Sequence, residues 1–108
     1  MKVKNLADSE LFTAIALPQG DREIDGVYAC DLLSWVMGRA KCDNAWITIM
    51  SNINILAVAS LSDVSCIILA EGVTLEQEVI DTALDKEINI LSTDMDIYNT
   101  AVYLNEVI

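Results

Sequence analysis

Residues 45–72, AWITIMSNINILAVASLSDVSCIILAEG, decide the fold of this chain. Within them, Ala45–Met50 and Ser65–Ala70 are short apolar runs, and the second is typical of a strand buried on both faces of a parallel sheet. Ile53–Leu61 is apolar on nearly all sides, which predicts a deeply buried helix that could supply part of an interface. Glu71-Gly72 then breaks the pattern. The stretch therefore predicts one strand–helix–strand unit of a parallel sheet.

The same alternation extends towards the N-terminus. Gly26–Cys30 predicts a strand, and Asp31–Lys41 predicts an amphipathic helix with Asp31 at its N-cap. Further upstream, Lys4–Glu10 predicts a short helix and Leu11–Leu17 a strand. A second strand–helix pair thus precedes the decisive stretch.

The C-terminal third repeats the pattern. The apolar positions between Leu75 and Leu84 recur at helical spacing, Ile88–Leu91 predicts a strand, and Asp96–Val107 predicts the last helix. The candidate helix caps are Ser51 or Asn52 for the central helix and Ser92, Thr93 or Asp94 for the last one. The order of elements predicts an α/β fold: a single three-layer-like domain over residues 1–108, with a mostly parallel sheet and helices packed on it.

Composition predicts a small associating protein. The chain is 54% hydrophobic, against roughly 45–50% in ordinary globular chains, and a domain of 108 residues buries a smaller share of its surface than a larger one. We therefore expect an exposed apolar patch and a homodimer that covers it, with a further protein partner as an additional possibility. No apolar run approaches the roughly 20 residues of a membrane span, and Asp8 and Glu10 interrupt any signal-peptide core. These features predict a cytoplasmic protein.

Charge and residue types argue against several functions. Seventeen acidic and six basic residues give a net charge of −11, which disfavours nucleic acid and anionic membrane surfaces as partners. The chain has three cysteines without paired spacing and no histidine, so neither a disulfide framework, a zinc site nor an ordinary catalytic triad is expected. It also lacks the glycine-rich phosphate-binding motifs. We expect no cofactor and no enzymatic activity.

Polar side chains follow the predicted strands, where ligands of open α/β sheets bind. The candidate ligand-binding residues are Asp31, Asn52, Glu71, Thr93 and Asp94. The alternative interpretation is that all five are helix caps and turn residues that the fold needs in any case.

Asp21, Arg22 and Gly26 form a second polar group, in the turn before the first predicted parallel strand. Such a turn can hold its own geometry by hydrogen bonds from side chain to backbone. The alternative role for Arg22 is a ligand or subunit contact, because arginine is enriched at interfaces.

Several segments resemble the DRTGG domain family, in particular its stand-alone members. They are Asp21–Gly26, Cys30–Ser34, Trp46–Ile49 and Ala57–Leu61, followed by Glu71-Gly72 and Ile90–Thr93. The resemblance implies a regulatory or dimer-forming module, related to the regulatory domain of phosphotransacetylases and CBS-domain pyrophosphatases. It also implies a relation to the N-terminal region of HPr kinase, which is not the kinase domain.

The chain departs from the family pattern at two places. Thr-Gly-Gly is replaced by Glu23–Gly26, with one glycine of the pair, and Met50–Asn52 stands where related chains carry Gln-Thr-His. Any family function of those segments is in question here.

Three hypotheses follow from the sequence. The first is a non-catalytic, homodimeric regulatory or interaction module that acts through protein association. The alternative is a sensor of a small ligand, a nucleotide or metabolite, bound at the C-terminal strand ends. An enzyme would need a carboxylate site that includes Asp31 or Asp94.

Overall fold

The computed structural model describes all residues, 1–108, and contains five helices and five strands. In chain order these are α1 (Val3–Ala7), β1 (Thr13–Ala16), β2 (Val27–Ala29), α2 (Leu33–Arg39), β3 (Ala45–Thr48), α3 (Asn54–Ser62), β4 (Cys66–Leu69), α4 (Gln77–Asp85), β5 (Ile90–Ser92) and α5 (Ile97–Val107). None of the helices is long and apolar enough to cross a membrane.

The strands form one sheet in the order β1-β5-β4-β3-β2. From β2 to β5 each strand lies parallel to the next, and each connection contains a helix. Trp46 in β3 is aligned with Tyr28 in β2 and Ile67 in β4. Only β1 runs antiparallel, beside β5, with Thr13 opposite Ser92. The predicted mostly parallel sheet is confirmed.

Helices cover both faces of the sheet and make three layers. One apolar cluster joins the sheet to α2, α3 and α4, and a second joins the opposite face to α1 and α5. Strand β4 supplies Ile67 and Leu69 to the first cluster and Cys66 and Ile68 to the second. Because side chains alternate along a strand, a continuous apolar run is buried on both faces. The predicted three-layer α/β fold is confirmed.

The central helix is less buried than its sequence suggested. Helix α3 packs Ile55, Leu56, Val58 and Ala59 inward, whereas Leu61 is 74% exposed. The prediction of burial on nearly all sides was wrong, because a helix that covers one face of a sheet turns its other side to solvent.

The expected caps are also different. Helix α3 begins after Ile53 instead of after Ser51 or Asn52, and it has no side-chain cap. Helix α2 begins after Leu32, and the Asp31 side chain makes no capping hydrogen bond to it. Helix α5 is capped by Asp96, whose carboxylate accepts a hydrogen bond from the Asn99 backbone N–H at 2.7 Å. Ser92, Thr93 and Asp94 lie too early in the chain for this role, because a cap satisfies the N–H groups two or three residues after it.

Candidate functional site

The five candidate ligand-binding residues lie along one edge of the sheet. Each follows the carboxyl end of a parallel strand: Asp31 after β2, Asn52 after β3, Glu71 after β4, and Thr93 and Asp94 after β5. The spatial order is therefore the order in the chain. The structure brings them to one edge but does not gather them in one cavity.

Asp31 holds two neighbouring loops together. Its carboxylate accepts hydrogen bonds from the Thr48 hydroxyl at 2.7 Å and from the Ile49 backbone N–H at 3.0 Å. Thr48 is fully buried, so this bond satisfies a hydroxyl that would otherwise be costly to bury. Asp31 thus forms its hydrogen bonds with β3 and the residue after it, and it does not cap the helix that follows it in the sequence.

Asn52 forms a hydrogen bond within its own loop. Its side-chain oxygen accepts a hydrogen bond from the Asn54 backbone N–H at 2.9 Å. This is an Asx-type turn, which reverses the chain just before α3 begins. Asn52 remains exposed, and the rest of its amide is free to face solvent or a ligand.

The loops after β4 and β5 are bonded to each other. Glu71 donates its backbone N–H to the Met95 carbonyl at 2.8 Å, and Gly72 donates to the Thr93 carbonyl at 2.9 Å. The Thr93 hydroxyl is buried and accepts from the Met95 N–H at 3.2 Å. Gly72 has φ +69°, and a Cβ there would lie 3.2 Å from the Asp94 carboxylate. Thr93 therefore shapes the loop, whereas the Glu71 and Asp94 side chains are exposed.

Two cavities open at this edge. The larger, about 590 Å³, lies between the starts of α3 and α4 and is lined by Asn52. The smaller, about 330 Å³, is lined by Asp94. Thr74 and Leu75 line both, so the loop before α4 separates two adjacent depressions. Their sizes fall at the low to middle part of the roughly 300–1,000 Å³ range of ligand pockets.

The lining of these cavities differs from the candidate set. Asp31, Glu71 and Thr93 line neither cavity, whereas Glu76 and Glu78 line the larger one. No lysine or arginine lines either. The search of strand ends missed Glu76 and Glu78 because they lie at the start of α4, beyond the loop that follows β4. Extending the search to the first turn of each helix would have found them.

Arg22 lies at the opposite edge of the sheet, where it connects two loops. Its guanidinium donates to the Asp43 carboxylate at 2.7 Å, and to the carboxylate and backbone carbonyl of Asp63 at 3.0 and 2.9 Å. Asp43 and Asp63 have φ of 67° and 53°, in the left-handed region that is unfavourable for most residues. Partial burial lowers the pKa of Arg22, but the hydrogen bonds and charges of both aspartates outweigh this and raise it overall.

The neighbours of Arg22 have separate roles. Asp21 is exposed and pairs with Lys4 at 2.8 Å, and this partner lowers the pKa of Asp21. Gly26 has φ +98°, and a Cβ there would lie 3.0 Å from the Asn44 side-chain nitrogen. The hydrogen bonds of Arg22 thus go to two distant loops, beyond its own turn.

No cluster of three or more His, Cys, Asp or Glu side chains is placed to hold a metal ion. The three cysteines are free, with Cys42 exposed, Cys30 half-buried and Cys66 buried.

Comparison with known proteins agrees with this architecture. Residues 29–107 match the family model of the DRTGG domain, so the match begins after the Asp21–Gly26 segment. The fold is similar to a crystal structure of the CBS and DRTGG domains of the regulatory region of Clostridium perfringens pyrophosphatase, complexed with the activator diadenosine tetraphosphate. The TM-score is 0.71 at 20% identity, over 95% of this chain and 45% of that chain. No curated protein sequence matches.

Proposed function

The chain belongs to the DRTGG domain family, and we propose that it is a non-catalytic regulatory module that works as a homodimer through association with another protein. The observation that carries the proposal is the fold correspondence. Nearly the whole chain, 95%, corresponds to part of the regulatory region of a pyrophosphatase, and it spans only 45% of that structure's chain. The corresponding part of that structure is regulatory, which supports a regulatory role for this chain.

The chemistry of the ligand edge supports a role without catalysis. Asp31 already accepts hydrogen bonds from Thr48 and Ile49, Asn52 accepts one from its own loop, and Thr93 is buried in the loop before α5. General acid–base catalysis needs groups within hydrogen-bond reach of a common reacting atom. The other two candidates, Glu71 and Asp94, are exposed and line no common cavity. Glu76 and Glu78 share the larger cavity, but both are exposed and no side-chain hydrogen bond holds either of them in place.

Exposed apolar side chains support association. Leu32, Trp35 and Met37 around α2 are each about half exposed, and Leu61 and Tyr98 are each 74% exposed. Large apolar patches on a small domain commonly mark contact surfaces. Leu61 lies on α3, so the helix predicted to supply part of the interface keeps an exposed apolar side chain although its other face is buried against the sheet.

The oligomeric state tests the first part of the proposal. Light scattering on a size-exclusion column should give twice the chain mass of 11.8 kDa at micromolar concentration. A mass equal to one chain across the accessible concentration range would contradict a homodimeric module.

The two cavities favour a second candidate, a small-ligand sensor. Diadenosine tetraphosphate is the activator bound in the similar pyrophosphatase structure. Here both cavities lack lysine and arginine, and Glu76 and Glu78 line the larger one. A polyphosphate would meet carboxylates without a neutralising cation. The sensor would therefore take an uncharged or cationic metabolite, or a nucleoside without phosphates.

A thermal-shift screen distinguishes the two candidates. A ligand at 100 times its Kd adds about 2.7 kcal/mol to the free energy of unfolding, which raises the melting temperature of a small domain by at least about 11 °C. A nucleoside or amine that gives such a shift would support the sensor. The Thr74→Trp variant, which places a bulky side chain in the loop that lines both cavities, should lose the shift. Asp85→Trp at the far end of α4 is the control and should keep it. A stable dimer with no shift from any ligand class favours the association module.

A further inference from the structure

We propose that the dimer forms through the open edge of β2. A second copy of this chain adds its own β2 to this edge in antiparallel orientation, which makes a continuous sheet of ten strands. This inference rests on the proposed homodimer and names its surface. Strand β2 is the last strand of the sheet and pairs only with β3.

The backbone of β2 presents free hydrogen-bonding groups on its outer side. The Gly26 carbonyl and the Cys30 N–H bond to β3, and since parallel strands direct alternate residues to the same neighbour, Tyr28 also faces β3. Val27 and Ala29 therefore direct their N–H and C=O groups outward, away from the sheet. Such an edge is a template for another strand.

These outward groups are self-complementary. In an antiparallel pair centred on Tyr28, each Val27 lies opposite Ala29 of the other copy, and the two residues exchange both of their hydrogen bonds. A two-fold axis through the centre gives the same bonds to both copies and leaves no free edge at this site. A head-to-tail pairing with β1 would instead extend without closure.

Apolar side chains flank the edge on both faces of the sheet. On one face, Trp35 of α2 is 49% exposed, with the Arg39 guanidinium 3.7 Å from its ring centre. Tyr28 of β2 and Leu33 of α2 pack against the same apolar cluster, which puts α2 on this face of the sheet. On the other face, Ile108 is 44% exposed and lines an apolar groove with Val27 and Ala29. Both flanks would be covered by the second copy.

The centre of the edge is uncharged, so a second copy can approach it. Two chains of net charge −11 repel each other, and the repulsion is smallest where the contact has few carboxylates. Gly26–Cys30 contains no charged residue, and Arg39 is the charge on the α2 flank. The pairing brings Asp25 opposite Asp31 of the other copy at each end. Because salt screens the repulsion between these carboxylates, the dimer Kd should fall as the salt concentration rises.

The test is to place a charge in the centre of the edge. Ala29 is exposed, so Ala29→Glu should leave the monomer folded, and burying that carboxylate should raise the dimer Kd at least about tenfold. The matched control is Ala14→Glu, an exposed alanine on the edge strand β1, which should leave the Kd unchanged. Asp25→Asn removes the repulsion and should lower the Kd about fivefold.

Each outcome of sedimentation equilibrium decides one question. A wild-type monomer overturns both the homodimer and this surface. A dimer that survives Ala29→Glu, with an unchanged melting curve, overturns the surface and leaves the homodimer standing. Loss of association in Ala14→Glu indicates head-to-tail pairing and overturns the antiparallel arrangement. If Ala29→Glu unfolds, Trp35→Ala on the flank replaces it, with the same expected direction.

Discussion

Replacing Arg22 with methionine should destabilise the protein more than any other single change to its surface charge. The guanidinium makes three hydrogen bonds to the loops that contain Asp43 and Asp63, and its side chain is 25% exposed. Methionine keeps most of the apolar stem but no donor. Asp43 and Asp63, which hold left-handed backbone conformations, would then face each other without a cation between them.

The contacts of Arg22 set the size of the expected loss in stability. The two ion pairs are partly solvated, so each contributes at most about 1 kcal/mol, and the bond to the Asp63 carbonyl contributes about 1 kcal/mol. We expect a loss of about 2 kcal/mol in the free energy of unfolding, which corresponds to about 10 °C in melting temperature for a domain of this size.

Urea denaturation of the wild type and the Arg22→Met variant measures this loss directly. Lys86→Met is the control, since Lys86 lies at the same edge, is exposed and forms no ion pair, and it should change stability by less than about 0.5 kcal/mol. Equal losses in the two variants would refute the reasoning, because they would show that Arg22 acts only through net charge. Asp63→Asn should lower the free energy of unfolding by less in the Arg22→Met variant than in the wild type, because its partner is already missing there.

The remaining predictions concern two glycines and one cysteine. Gly26→Ala should destabilise the protein by about 1–2 kcal/mol, because φ is +98° and the new Cβ would approach a neighbouring amide. Gly38→Ala in α2 should stabilise it by about 0.5–1 kcal/mol, because the space around Gly38 is open. Urea denaturation measures both changes. Burial raises the pKa of the Cys66 thiol to about 12 from 9.0, so above pH 9 the unfolded chain loses this proton and the folded chain does not. Stability should therefore fall between pH 9 and pH 12 by about 1.4 kcal/mol per pH unit, and an equal slope in Cys66→Ala would contradict this cause.

The amino-acid sequence by itself determined the order of elements and the sheet class. Apolar runs such as Ser65–Ala70 can only be buried on both faces, and their alternation with helical periods leaves a parallel sheet covered on two sides as the stable arrangement. The strand ends in the sequence also located Asp31 and Asp94 at the edge where they lie. These features depend on local residue patterns.

Only the tertiary structure decided which group each polar side chain contacts. Asp31 bonds to Thr48, 17 residues away, and Arg22 bonds to Asp63, 41 residues away. Glu76 and Glu78 line the larger cavity because two helix starts converge there, and β2 has a free edge because it is last in the sheet. A hydrogen bond needs its partners within about 3 Å, and local sequence patterns carry no information about which distant loop comes that close.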